Sequence, residues 1–86
     1  MEELLIDIIK LCMSIDQRSA GIYSRLSSDS KVAELKAFWK EMSEDELEHV
    51  EFWERLLPIA ENRLLPQIFD HPERIKIELD EISRKV

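Results

Sequence analysis

Two residues with metal-binding side chains interrupt an apolar helical stripe in the middle of the chain. Steps of three and four residues from Val32 follow one helix face, with the spacing of a buried seam. This face carries Val32, Leu35, Trp39, Met42, Glu46, His49, Trp53 and Leu56. An unpartnered buried carboxylate is costly unless it takes up a proton. We therefore expect Glu46 and His49 to lie in an enclosed site and to have a partner there.

A third acidic residue, Asp16, stands in an apolar row nearer the N-terminus. That row is Leu5, Ile9, Cys12, Asp16, Ala20 and Tyr23. In a helical hairpin that turns near residues 28–30, Asp16 would lie within a turn or two of Glu46 and His49. Carboxylate and imidazole ligands together suit iron, manganese or zinc. The alternatives for Asp16 are an ion pair with Arg18 and a solvated position, and Cys12 is better explained as a small buried residue than as a ligand.

Composition limits the class of protein. The chain has 86 residues, 36% of them charged, with one Gly and three Pro, which is typical of one helical domain. Its net charge of −7 argues against nucleic acid and anionic membrane surfaces as partners. The single Cys12 excludes an internal disulfide and a four-Cys zinc or iron site. The acidic start and the short first apolar run indicate neither a secretory signal nor a membrane span, which predicts a cytoplasmic protein.

Two long helices are predicted for residues 1–57. The first covers residues 3–27, and Asp29 or Ser30 is expected to cap the second. The second should end near Leu57, because Pro58 disfavours helical geometry in the residue before it. The short link requires an antiparallel hairpin. On the first helix, the face expected to be solvated carries Asp7, Lys10, Ser14, Gln17, Arg18, Gly21 and Arg25.

Residues 58–86 are predicted to form a proline-punctuated segment followed by a C-terminal helix. Asp70 and Glu73 have the spacing of a capping box, with Pro72 in the first turn. The helix carries one apolar row, Ile75, Leu79, Ile82 and Val86. We expect it to pack outside the hairpin or to extend a dimer.

One chain supplies half of a known ligand set. Di-iron carboxylate bundles use one Glu from each of two helices and a Glu-x-x-His pair from each of the other two. Two copies of this chain would supply four carboxylates and two imidazoles, whose charge balances two divalent cations. Pairing would also cover the apolar face that an isolated hairpin leaves open. The prediction is an all-α helical hairpin that dimerises into a four-helix bundle.

Two segments resemble the ferritin-like superfamily: Asp16-Gln-Arg-Ser-Ala-Gly-Ile-Tyr23 and Phe38-Trp-Lys-Glu-Met-Ser-Glu-Asp-Glu-Leu-Glu-His49. The similarity covers residues 3–57 and is nearest to rubrerythrin-type di-iron domains and to the half-length, two-helix ferritins found as encapsulin cargo. It implies Asp16, Glu46 and His49 as metal ligands and Tyr23 as a hydrogen-bond donor to a ligand carboxylate. The chain departs from the family by having Asp instead of Glu as first ligand. It also lacks a rubredoxin domain and the C-terminal extension that docks encapsulin cargo.

The resemblance implies a di-iron protein that oxidises Fe²⁺ with O₂ or peroxide at a site shared by two chains, with manganese or zinc as alternative metals. No catalytic residue beyond the ligands and no organic cofactor is expected. The expected partners are a second copy or a higher homo-oligomer, an encapsulating shell, or an output domain after Val86. Two other interpretations stay open. The amphipathic helix Arg74–Val86 suggests a metal- or oxygen-sensing module, and a structural homodimer would only pair Glu46 with His49.

Overall fold

A computed structural model of the chain describes residues 2–62 and 71–86. These residues form three α-helices and no strand, which confirms the predicted all-α class. The helices are α1 (Glu2–Asp29), α2 (Ala33–Glu61) and α3 (Pro72–Lys85).

Helices α1 and α2 form the predicted antiparallel hairpin. Ser27 Oγ donates a hydrogen bond of 2.8 Å to the carbonyl of Lys36, and Ser43 Oγ donates one of 2.8 Å to the carbonyl of Ala20. Successively later residues of α2 therefore lie beside successively earlier residues of α1. The predicted side-chain cap of α2 is wrong, because the residue before the helix is Val32 and no side chain caps it.

Helix α2 continues past Pro58, so its predicted end near Leu57 is wrong. Proline lacks the N–H of a helical residue, but its φ angle suits a helix, and here it falls in the last turn. Ala60, two residues further, is only 2% exposed, so the part of the helix after Pro58 contributes to the buried core. Asn62 closes the helix, since both its backbone N–H and its side-chain amide donate to the carbonyl of Pro58.

Helix α3 packs on the outside of the hairpin against α1. The guanidinium of Arg18 donates to the carbonyl of Ser83 at 2.8 Å and also to its hydroxyl. The predicted solvated face of α1 is therefore partly covered, and Ser14 and Arg18 are half-buried. Helix α3 begins at Pro72 after His71, without a side-chain cap, one residue later than a capping box at Asp70 requires. Asp70 itself lies outside the described residues.

The buried core of the described residues is small. Its fully buried apolar members are Ile8, Ile9, Ala20, Val50 and Ala60. The molecule measures 47 × 24 × 15 Å, so it is little thicker than one layer of helices. Its radius of gyration is 15.2 Å, against about 12 Å for a compact domain of this length. The hairpin therefore leaves much of its apolar surface uncovered.

The predicted apolar stripe of α2 is only partly buried, since Leu35 and His49 are exposed and its other members in the helix, Trp39, Met42, Glu46, Trp53 and Leu56, are half-buried. The buried residues Ser43 and Val50 each follow a stripe member by one position, which is about 100° around a helix. The side of α2 next to its contact with α1 exposes a row of residues at heptad spacing. This row, called the exposed stripe below, consists of the exposed Leu35, Phe38, His49, Phe52 and Ile59 and the half-buried Met42 and Leu56, with the exposed acid Asp45 at the position between Met42 and His49. Phe38 is 48% exposed and Phe52 51%.

Candidate metal centre

The structure brings Asp16, Glu46 and His49 together between the two long helices. Asp16 belongs to α1, and the other two residues lie one turn apart on α2. One donor atom of each residue lies within 4.8 Å of the donor atoms of the other two. The antiparallel register brings about this approach, because it sets the middle of α1 beside the middle of α2.

The three side chains differ in their access to solvent. The side chain of Glu46 is 18% exposed and that of His49 is 59% exposed, while Asp16 is half-buried. His49 Nδ1 lies 3.5 Å from Glu46 Oε1. The expectation of an enclosed site is therefore wrong for a single chain, because the imidazole lies on the exposed stripe and opens to solvent.

Glu46 holds a proton more tightly than an ordinary glutamate. Burial raises the pKa of Glu46 above its usual value of 4.5, and the hydrogen bond to Asp16 and the charge of Asp16 raise it further, although His49 lowers it. When it is protonated, the Glu46 carboxyl group can donate a hydrogen bond to the Asp16 carboxylate, which stabilises the protonated form. A cation that binds both carboxylates competes with a proton for Glu46, so its affinity should rise with pH.

The partner of Asp16 across the hairpin is Trp53, which the sequence indicated only as a core residue. The indole Nε1 of Trp53 donates a hydrogen bond of 2.8 Å to Asp16 Oδ2. Both residues are half-buried. A buried indole N–H usually requires a partner, and Trp53 follows Glu46 by seven residues on the same stripe. This seven-residue spacing was the feature of the sequence that could have indicated the contact.

Tyr23 lies against Trp39 in a stacked arrangement. Their ring centroids are 5.6 Å apart with an interplanar angle of 17°, and Phe38 meets Trp39 edge-on at 5.0 Å. This aromatic cluster packs α1 against α2 on the side of the centre nearer the turn. The role of Tyr23 as a donor to a ligand carboxylate stays a prediction.

Cys12 is a half-buried free thiol one helical turn before Asp16. Burial raises the pKa of the Cys12 thiol, and the charge of Asp16 raises it further. A thiol kept protonated is a poor nucleophile and a poor metal ligand. This environment agrees with the interpretation of Cys12 as a small packing residue.

The chemistry of this donor set fits a divalent transition metal. Two carboxylates and an imidazole are ligands that iron, manganese and zinc accept. Donors about 2.0–2.2 Å from one ion lie no more than about 4.4 Å apart. The donor atoms of the group lie within 4.8 Å of one another, so an adjustment of at most a few tenths of an ångström would bring all three to one ion. The exposed His49 side chain has the freedom to make that adjustment.

No protein-family model, curated protein or solved structure matches the chain. The similarity to ferritin-like proteins therefore has no support beyond the residues that carry it. In residues 2–62 and 71–86, no helix is both long and apolar enough to cross a membrane.

Proposed function

We propose that the chain is a carboxylate–histidine metal-binding protein whose functional form is a homodimer with a di-iron site. The observation that carries the proposal is the meeting of Asp16, Glu46 and His49 from two helices, with donor atoms within 4.8 Å. The proposed activity is the oxidation of Fe²⁺ by O₂ or peroxide. A cytoplasmic location stays a prediction.

The ligand count supports a second copy. One chain contributes two carboxylates and one imidazole, fewer donors than two ions require. Two chains contribute four carboxylates and two imidazoles, and the four negative charges match two divalent cations. Cation binding would favour the deprotonated form of Glu46, whose pKa is raised in the metal-free chain.

The exposed stripe supports the same arrangement. Exposed apolar residues that line one helix face at heptad spacing commonly mark a contact with another helix. His49 lies in the middle of this stripe, so a chain that covers it would also enclose the solvent-exposed ligand. A two-fold axis beside α2 would bring the two ligand sets towards each other.

The residues of the chain would bind, orient and neutralise the ions. Carboxylates accept either terminal or bridging positions, which lets one ligand set serve two oxidation states of iron. A pair of Fe²⁺ ions would supply the two electrons that reduce O₂ or peroxide.

The test is metal content per chain and mass in solution, measured on protein purified without chelator. We expect about one iron per chain, in a dimer or in an assembly of several dimers, because one chain supplies the ligands for one ion. Glu46→Ala and His49→Ala should each lose the metal, and Glu48→Ala on the exposed side of α2 is the matched control.

Oxygen consumption on adding Fe²⁺ then separates an oxidase from a sensing module. A folded protein that cannot be loaded with metal would contradict the proposal.

A structural homodimer is the second candidate, and one observation favours it. Among the described residues, no buried side-chain nitrogen or oxygen lacks a hydrogen-bond partner. No fully buried polar atom of the group is therefore left without a partner when no ion is bound. In that case, replacing both Glu46 and His49 with Leu should leave the stability unchanged or higher. Loss of bound iron in the same variant would support the metal centre instead.

A further inference from the structure

The hydrogen bond from Trp53 engages one of the two oxygens of Asp16. Its length, 2.8 Å, is that of a good hydrogen bond to a charged acceptor, and it spans the two long helices. Asp16 has a short side chain, so fixing one oxygen from the opposite helix fixes the orientation of the whole carboxylate. The remaining oxygen is the one left for Glu46 or for a cation.

Trp53 also lies close to the other candidate ligands along α2. It follows His49 by four residues and Glu46 by seven, which are the spacings of one face of a helix. Its ring meets Phe52 edge-on, with centroids 5.2 Å apart, so the indole is supported from the exposed stripe. A side chain with two rotatable bonds that is packed in this way is a rigid donor.

We propose that Trp53 is a positioning residue that makes Asp16 a single-oxygen ligand. The inference rests on the proposed metal binding and adds a residue that determines how Asp16 coordinates the ion. The indole N–H competes with an ion for Oδ2, which favours binding of the ion through Oδ1 alone. The centre then favours ions that accept few ligands, such as Zn²⁺ and Co²⁺, over Mn²⁺, which accepts a full octahedral oxygen set.

The matched comparison uses the only two tryptophans of the chain. Trp53→Phe keeps an aromatic ring and removes the N–H donor, whereas Trp39→Phe makes the same change in the cluster with Tyr23. We expect Trp53→Phe to weaken Co²⁺ binding about 10- to 100-fold, the usual effect of removing a group that orients a ligand. Its Co²⁺ visible absorption should also weaken, because a chelating Asp16 raises the coordination number. Trp39→Phe should bind Co²⁺ as the parent does.

A second measurement keeps Trp53 in place and does not depend on the folding of Trp53→Phe. In the Trp39→Phe variant, Trp53 is the only indole, so its fluorescence reports the environment of Asp16. We expect that emission to change with Zn²⁺ over the same concentrations at which calorimetry detects binding. Asp16→Asn in the same background should abolish both responses.

The outcomes separate this inference from the proposed function. If the parent protein binds neither Co²⁺ nor Zn²⁺, the metal proposal fails, and the role of Trp53 fails with it. If the parent binds both ions while Trp53→Phe shows the same affinity and the same Co²⁺ spectrum, only the role of Trp53 is overturned. Zn²⁺ binding without any change in Trp53 emission would overturn it as well.

Discussion

The proton of Glu46 links the candidate metal centre to the stability of the metal-free chain. Because its pKa is raised in the folded state, the folded protein binds more protons than the unfolded chain between pH 4.5 and the folded pKa. Stability from this group is therefore complete below pH 4.5 and is lost as the pH rises through the folded pKa. Above the folded pKa, the deprotonated carboxylate beside Asp16 opposes folding.

At the scale of a single residue, we predict that Glu46→Gln stabilises the metal-free protein at pH 7. The amide keeps the hydrogen-bond donor to Asp16 and carries no charge. We expect a gain on the order of 1 kcal/mol, or roughly 4–8 °C in melting temperature for a domain of this size. The measurement is thermal unfolding with a chelator from pH 4 to pH 8, and the difference from the parent should shrink towards pH 4. The exposed Glu48→Gln is the control. A difference that does not vary with pH would contradict a raised pKa of Glu46.

At the scale of the helices, α3 depends on one side chain of α1. The guanidinium of Arg18 donates to the last turn of α3, at the carbonyl and hydroxyl of Ser83. Cations are favourable at a helix C-terminus, where carbonyl groups lack helical partners. Among the described residues, α3 contacts only α1, and the hydrogen bonds of Arg18 are part of that contact.

We predict that Arg18→Ala loosens α3 without disturbing the hairpin. Loss of about 1–2 kcal/mol of local stability corresponds to about 5- to 30-fold more frequent opening. Hydrogen exchange should therefore accelerate by that factor at residues 72–85 and stay unchanged at Val50. Ser83→Ala removes only the hydroxyl contact and should give a smaller effect. Equal protection of α3 in Arg18→Ala and the parent protein would show that apolar packing alone holds the helix.

At the scale of the whole molecule, a thin helical layer requires something to cover its open side. Five apolar residues are fully buried, while the exposed stripe presents two phenylalanines at about half exposure. Leu47 is equally exposed, at 51%, but lies five residues before Phe52 and thus about 140° away around α2. A comparison of Phe52 with Leu47 therefore tests whether the exposed stripe has a specific role or whether any equally exposed apolar residue has the same effect.

We predict that Phe52→Lys separates the proposed dimer and that Leu47→Lys does not. Placing an ammonium group in the centre of an apolar contact removes the favourable burial and adds a desolvation cost. The mass in solution should fall to that of one 10.2 kDa chain for Phe52→Lys only. Iron per chain should fall with it if the site is shared. A single chain that keeps its iron would contradict a shared centre, and dissociation by Leu47→Lys would place the contact on another face.

The sequence by itself determined the helices, the hairpin and the candidate ligands. Helical periodicity and a link of three residues depend on neighbours along the chain, and those constraints bring Asp16 close to Glu46 and His49 whatever the rest of the chain does. The four-helix bundle and the identity of the metal stay predictions, because they depend on a second copy and on an ion.

The tertiary structure decided which faces are covered. A periodic pattern cannot show how far a helix is rotated about its axis, so the row buried against α1 differs by one residue from the predicted stripe. A periodic pattern also cannot show that α2 continues past Pro58 and buries Ala60, or that α3 packs beside Arg18. The contact between Trp53 and Asp16 joins residues 37 positions apart. Such contacts depend on which of several possible packings is the most stable, and only the folded structure shows which one forms.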